Sequence, residues 1–279
     1  MTADLAHLTD LIAGGGVAVL TGAGISTESG IPDYRGPSGV SRRHTPMTYQ
    51  TFTEDAAARR RYWARSHVGW RTIARAAPNA GHRAVAQLQG YGLLAGIVTQ
   101  NVDGLHQAGG AHGVNELHGN LDRVVCLDCR AVTARSVLDG RLWAANPGFD
   151  TRRVDAVNPD GDVSLADEAV AGFRTVDCAA CGGTLKPDVV FFGEAVPRER
   201  VLAAFDLVDA ARALLVLGSS LAVHSGRRFV THAARRGIPV AIVNQGPTRA
   251  DDRATVRVDA PLGACLTALA RDVVALPRA

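Results

Sequence analysis

Gln100, Asn101, Asp103 and His106 fall within seven residues, directly after the apolar run Gly96-Ile97-Val98. Turns use Asn, Asp and Gly for backbone geometry, but they have no general need of Gln and His as well. A polar cluster at the end of a buried strand is costly unless a ligand or water satisfies it. Further along, four cysteines form two CxxC pairs, Cys126–Cys129 and Cys178–Cys181. CxxC spacing lets two thiolates of a tight turn reach one ion, and two such turns complete a tetrahedron. The 48 residues between the pairs exceed the usual ribbon spacing, which implies an insertion inside the zinc module. A redox CxxC fits less well, because there are two pairs and neither opens a helix after a strand. Cys265 lies in an Ala/Leu-rich helical pattern and reads as a core residue.

These groups must be held by elements, and the elements are legible as apolar runs. "VAVL" (17–20), Ile97-Val98, "ALLVLGSS" (213–220) and "IPVAIVNQG" (238–246) read as buried strands. Helical patterns cover 82–89, 198–212, 226–236 and 262–275. Strands alternating with helices predict an α/β fold with a Rossmann-like parallel sheet and, inserted into it, a small zinc-binding module. The expected division is residues 1–119 and 188–279 for the parallel-sheet domain and 120–187 for the zinc module. A Pro-, Gly- and Arg-rich stretch, 31–61, reads as a flexible cofactor loop. The polar and Gly-rich residues fall at the C-terminal ends of the strands, the edge at which open α/β sheets bind ligands.

The first such turn is "GAGIST", Gly22 to Thr27. Glycines there let backbone N–H groups approach a pyrophosphate above a helix N-terminus. The match to GxGxxG is incomplete, and no acidic residue stands where a ribose clamp is usual. Taken alone, it reads equally as a tight strand-to-helix turn.

The order of the remaining motifs decides the matter. "GIPDYRG", "TQNVDGLH", "NELHGNLDRVVCLDC", "LKPDVVFFGE", "LGSSLAV" and "IVNQGPT" follow one another, and the chain resembles the sirtuin family from about residue 12 to about 270. Details such as "RYWARSHVGW" and "GPTRADD" resemble its class II branch. The resemblance implies an NAD-dependent protein-lysine deacylase, a transferase that moves the acyl group from lysine to ADP-ribose and releases nicotinamide. The alternative is a mono-ADP-ribosyltransferase working at the same NAD site. Its expected partners are acylated-lysine proteins or peptides, with NAD as co-substrate and one structural zinc ion.

The same resemblance implies roles for individual residues. His118 in "ELHG" is the expected general base, with Asn101 beside it in catalysis. A histidine suits that task because its ordinary pKa, about 6.5, lies near working pH. NAD is expected to meet Gly22, Ala23, Gly24 and Ile25; Asp33, Tyr34 and Arg35 on the loop; Gln100, Asn101 and Asp103; Gly218, Ser219 and Ser220; Asn244, Gln245 and Gly246; and Leu262. Asp103 would hold the nicotinamide carboxamide. Val189, Val190, Phe191, Phe192 and Gly193 would offer a backbone edge to the peptide. Zinc on Cys126, Cys129, Cys178 and Cys181 would be structural, since four thiolates leave no open position. His106 reads as a helix-start residue. Tyr62 and Arg65 spell Y-x-x-R, the mark of an acidic-acyl pocket in a related branch. The surrounding class II likeness points instead to a roomy pocket for longer or bulkier chains, with lipoyl-like or branched acidic chains as the leading candidates.

Charge and hydropathy narrow the classes further. Net charge is +3, too small to argue for nucleic acid, although ten Arg lie between Arg35 and Arg83. A zinc ribbon on a nucleotide-sensing domain would use that segment, but it lacks interleaved aromatics. No apolar run reaches the roughly 18 residues of a membrane span, and the N-terminus has no basic region before its short apolar run, so the expected location is the cytoplasm. Of the 30 basic Lys and Arg residues, one is lysine, Lys186.

Overall fold

The structure is a computed structural model, and it describes residues 3–34, 46–149, 158, 161–163, 165 and 167–275. Arg35, most of the Arg-rich loop between Tyr34 and Pro46, and much of the Pro/Gly/Asp-rich stretch after Phe149 lie outside the described residues.

Six parallel strands form the main sheet: β1 (Val17–Thr21), β2 (Leu94–Thr99), β3 (Asn115–Glu116), β7 (Ala213–Leu217), β8 (Val240–Val243) and β9 (Val256–Val258), in the order β3-β2-β1-β7-β8-β9. Every residue of β1, β7 and β8 is buried, as expected of parallel strands covered on both faces. The chain leaves β1 toward β2 on one side, and the later strands continue from β7 on the other. The crevice between β1 and β7 is therefore the topological switch point, where such sheets take ligands.

Helices cover both faces. On one face α1 (Ala3–Ala13), α4 (Ala80–Gly90) and α10 (Leu262–Ala275) bury Leu8, Ile12, Val85, Leu88, Leu266 and Leu269 against the sheet. On the other, α8 (Arg198–Ala210) and α9 (His224–Arg235) bury Ala204, Val208, Phe229 and Val230. The helix starts are chemically marked. Asn79 caps α4 in a reciprocal capping box with His82, and Asp55 accepts from the Ala57 and Ala58 N–H groups at the head of α3 (Ala56–Arg75).

The second sheet has three antiparallel strands, β5-β4-β6, made by β4 (Gly119–Cys126), β5 (Val132–Ala134) and β6 (Leu185–Val189). Helices α6 (Arg135–Ala145) and α7 (Asp167–Val170) belong to the same stretch of chain, and α5 (Leu105–Ala108) is a single turn before it. α2 (Tyr49–Glu54) and α3, which the sequence reading counted with the parallel-sheet domain, contribute Phe52, Tyr62, Trp63, Val68 and Ile73 to one core with Leu121, Val124, Leu138, Val189 and Phe191. Burial, not chain order, unites them: aromatic rings of Phe52, Tyr62 and Phe191 meet edge-on or tilted at 5.2–5.4 Å between centroids.

Among the described residues, no helix is long and apolar enough to cross a membrane.

Candidate active site

Two glycine turns face each other across the switch point. Gly22 follows β1 and donates its N–H to the Leu217 carbonyl; Gly24 donates to the Gly218 carbonyl at 2.8 Å. A Cβ on Gly24 would lie 2.8 Å from the Gly218 Cα, and one on Gly218 would lie 2.6 Å from the Ile25 nitrogen. Gly218 also has φ +61, a left-handed conformation that glycine adopts at least cost. The two turns thus touch backbone to backbone and leave an open concavity beyond. Residues 23–29 after the first turn form a 3₁₀ helix, not the α-helix that the dinucleotide motif led us to expect.

The polar cluster after β2 is held by an internal network. Asn101 donates to the Gly22 carbonyl and the Ser26 hydroxyl, both at 3.1 Å. Ser26 donates to Asp103 at 2.7 Å, and the second Asp103 oxygen accepts from the Leu105 N–H. Burial pushes the Asp103 carboxyl up, against the lowering effect of those bonds. Gln100 donates to the Thr21 carbonyl and to the Ser219 hydroxyl at 2.9 Å, which ties β2 to the β7 turn.

His106 is not in the cavity wall. It is 1% exposed, bonded through Nε2 to the Thr21 hydroxyl at 2.9 Å, with its ring 5.0 Å from that of His82. Burial lowers His106 to about 3 and His82 to about 4, so both are neutral. They back the cluster from behind, as a core pair.

His118 sits at the start of β4, where the two sheets meet. Its Nδ1 is 2.9 Å from the Gln100 carbonyl and its Nε2 is 2.9 Å from the Ser225 hydroxyl. Burial lowers its pKa to about 4; the Gln100 contact opposes this, and Arg228 and Arg200 add to it. Neutral imidazole at ordinary pH is the form that can accept a proton.

The two glycine turns, the Gln100–Asp103 cluster and His118 open on one cavity of about 820 Å³. Its wall includes Gly22, Ala23, Gly24, Asp33, Tyr34, Gln100, Asn101, Asp103, His118, Gly218, Ser219, Ser220, Asn244, Gln245, Gly246, Leu262 and the whole of Val189–Gly193. Ile25 is buried behind it, with its N–H on the Gly22 carbonyl. Asn244 folds its amide back on the Gln245 and Gly246 carbonyls at 3.0 Å. Tyr62 and Arg65 are not part of the wall.

The Val189–Gly193 edge is partly engaged. The Val190 N–H bonds the His118 carbonyl at 2.8 Å, the Phe191 N–H bonds Glu194, and the Phe192 carbonyl accepts from the Tyr49 N–H. Below it lies Lys186, 4% exposed. Its ammonium bonds the Pro187 and Val189 carbonyls, pairs with Glu194 at 3.1 Å and lies 4.8 Å from the Phe191 ring centre. At the cavity mouth Phe192 meets the exposed Tyr34 edge-on.

The four cysteine sulfurs gather within 4.8 Å of one another. Each pair sits in the same kind of turn. The N–H groups of Arg130 and Gly182 return to the Cys126 and Cys178 carbonyls, and both residues are left-handed, at φ 62 and φ 74. Sulfurs this crowded share protons: Cys178 is drawn down to about 7, chiefly by the Ala180 N–H, while Cys181 is pushed up to about 12, chiefly by Cys129. A divalent cation removes that conflict, and four sulfurs in two knuckles are arranged to bind one zinc ion, fully coordinated.

Sequence reasoning missed Ser225. It lies 107 residues from His118 in the chain, in no motif with it, and only the packing of α9 brings the two together.

A parallel sheet whose switch point opens on a cavity with a neutral histidine, beside a second sheet that carries a four-cysteine cluster, is the arrangement of a nucleotide-binding enzyme. Residues 22–225 match the Sir2 family, and the chain belongs to it. It is 61% identical to NAD-dependent protein deacetylase 1 of Streptomyces coelicolor, across 96% of this chain and 90% of that one. It is 53% identical to a Mycobacterium avium protein of the same name, across 99% and 98%. Among solved structures, a Sir2 protein with p53 peptide and NAD+ is 30% identical and superposes with a TM-score of 0.76, covering 98% of both chains.

Proposed function

We propose that the protein is an NAD-dependent protein-lysine deacylase of deacetylase type. The observation that carries this is His118: a neutral imidazole, oriented from both ring nitrogens, in the wall of the cavity that both glycine turns and the Val189–Gly193 edge share. NAD, when bound, supplies an electrophilic ribose carbon and a nicotinamide leaving group. The backbone of Gly22, Ala23, Gly24 and Gly218 would approach the pyrophosphate, with Ser219 and Ser220 beside it. Asn244, Gln245 and Gly246 would meet the adenine ribose, with Leu262 at the adenine. Gln100, Asn101 and Asp103 would hold the nicotinamide end. The loop residues Asp33, Tyr34 and Arg35 would close over it. His118 would then take a proton from a ribose hydroxyl as that oxygen receives the acyl group. The acylated lysine would enter along Val189–Gly193, with the partly used backbone edge as its dock.

The fold reading extends to two domains, with the cysteine module and its helices closing one side of the cleft. Thiolate zinc ligands also need a reducing compartment, which supports a cytoplasmic site of action. The test is one incubation of the protein with NAD and an acetyl-lysine peptide, read by mass spectrometry. Deacylated peptide, nicotinamide and acylated ADP-ribose are expected. ADP-ribose attached covalently to protein, with the peptide left acylated, would overturn the reading.

A further inference from the structure

His118 has a fixed proton inventory. The Gln100 carbonyl can only accept, so Nδ1 carries the hydrogen and Nε2 presents a lone pair. The group facing that lone pair is the Ser225 hydroxyl, which therefore donates. Ser225 lies in the first turn of α9 and is itself part of the cavity wall. Its approach is built into the helix: the next residue, Gly226, packs so closely on the Gln100 side chain that a Cβ there would collide with the amide. The Ser225 carbonyl accepts from the Arg228 guanidinium at 3.1 Å, which steadies the same turn. Arg228 and Arg200 are the charged groups that act on the imidazole.

We propose that Ser225 is a catalytic residue, the hydroxyl through which His118 takes its proton. The proposal rests on the deacylase reading above. As a ribose oxygen of bound NAD forms its bond to the acyl carbon, its proton passes to the Ser225 oxygen. The Ser225 proton passes in the same step to His118 Nε2, which becomes imidazolium, and the serine ends as it began. No other reactant is needed, and a substrate hydroxyl does not have to displace serine from the base.

Three measurements test it. The first needs no turnover: the ¹⁵N shift of His118 Nε2 in protein alone reports a hydrogen-bonded acceptor that Ser225→Ala changes and Ser225→Thr restores. The second separates steps. Ser225→Ala keeps exchange of labelled nicotinamide into NAD, which does not call on the base, and slows acyl transfer in a single turnover by about tenfold or more. The third is the proton inventory in mixed H₂O and D₂O, curved for wild type and linear for Ser225→Ala. An Nε2 shift indifferent to the alanine, acyl transfer within twofold of wild type, or equal losses of exchange and transfer each overturn the proposal. If wild type itself fails to deacylate, the functional reading falls, and the ¹⁵N shift still decides whether serine holds the base.

Discussion

Each histidine of the site has its protonation state set by its surroundings. His118, lowered to about 4, is neutral throughout the physiological range. His118→Ala should cut deacylation by at least about 100-fold, as expected for loss of a general base. NAD affinity and the melting temperature should stay near wild type, which calorimetry and thermal unfolding check; turnover above a few per cent of wild type would remove the histidine from that role. The buried neutral pair makes a second prediction. His82 and His106 have folded pKa values of about 4 and about 3, below the ordinary 6.5. Between those values the unfolded chain binds the protons and the folded one does not. Stability is therefore whole above about pH 6.5 and falls as pH drops toward 4, by about 1.4 kcal/mol per pH unit for each group. His118, lowered to about 4, adds to the same slope. Urea midpoints at pH 7.5, 6 and 5 should show it, and His106→Gln should lessen it by roughly a third; a slope unchanged in that variant would assign the loss to His118 or the thiolates instead.

The elements show how far sequence reaches. The two glycine turns and the cysteine knuckles were legible because residue identity dictates them: left-handed backbone asks for glycine at Gly182 and Gly218, and paired thiols ask for an ion. The union of α2 and α3 with the three-stranded sheet was not legible, because Phe52 and Tyr62 look like any buried aromatics until Phe191 is seen against them. Likewise the 3₁₀ turn at Ala23–Ser29 follows from tight contact with Gly218, which no local propensity records. Gly218→Ala should cost more than about 1 kcal/mol through its positive φ and its collision with Ile25, and should weaken NAD binding in the same titration. The opposite change belongs to the knuckles. Arg130 holds φ 62 where the sister turn has Gly182, so Arg130→Gly should raise stability by roughly 0.5–1 kcal/mol; a lower melting temperature would show that the arginine side chain matters more than its backbone. On α3, Tyr62 and Arg65 stand outside the cavity wall, so Arg65→Met should leave the ranking of acetyl, succinyl, glutaryl, octanoyl and lipoyl peptides intact. A succinyl preference that collapses in the variant would restore the acidic-acyl pocket.

At the scale of the whole molecule, the zinc knuckles and the base are joined by a single strand. β4 runs from Gly119, next to His118, to Cys126, so a metal site with no chemistry of its own anchors one end of the strand that carries the base. Cys126→Ala should lose its zinc by elemental analysis and much of its soluble yield, because metal binding at such a site is folding free energy; a wild-type protein free of zinc would refute the assignment. The same overall view gives the lone lysine a meaning of its own. With Lys186 sealed beneath Phe191 and every other Lys/Arg position filled by arginine, the solvent meets no ε-amine anywhere on this protein. Arginine supplies surface charge without supplying a nucleophile. An eraser of lysine marks built this way offers reactive acyl donors no exposed lysine, so the modification it reverses finds no ε-amine on its own surface.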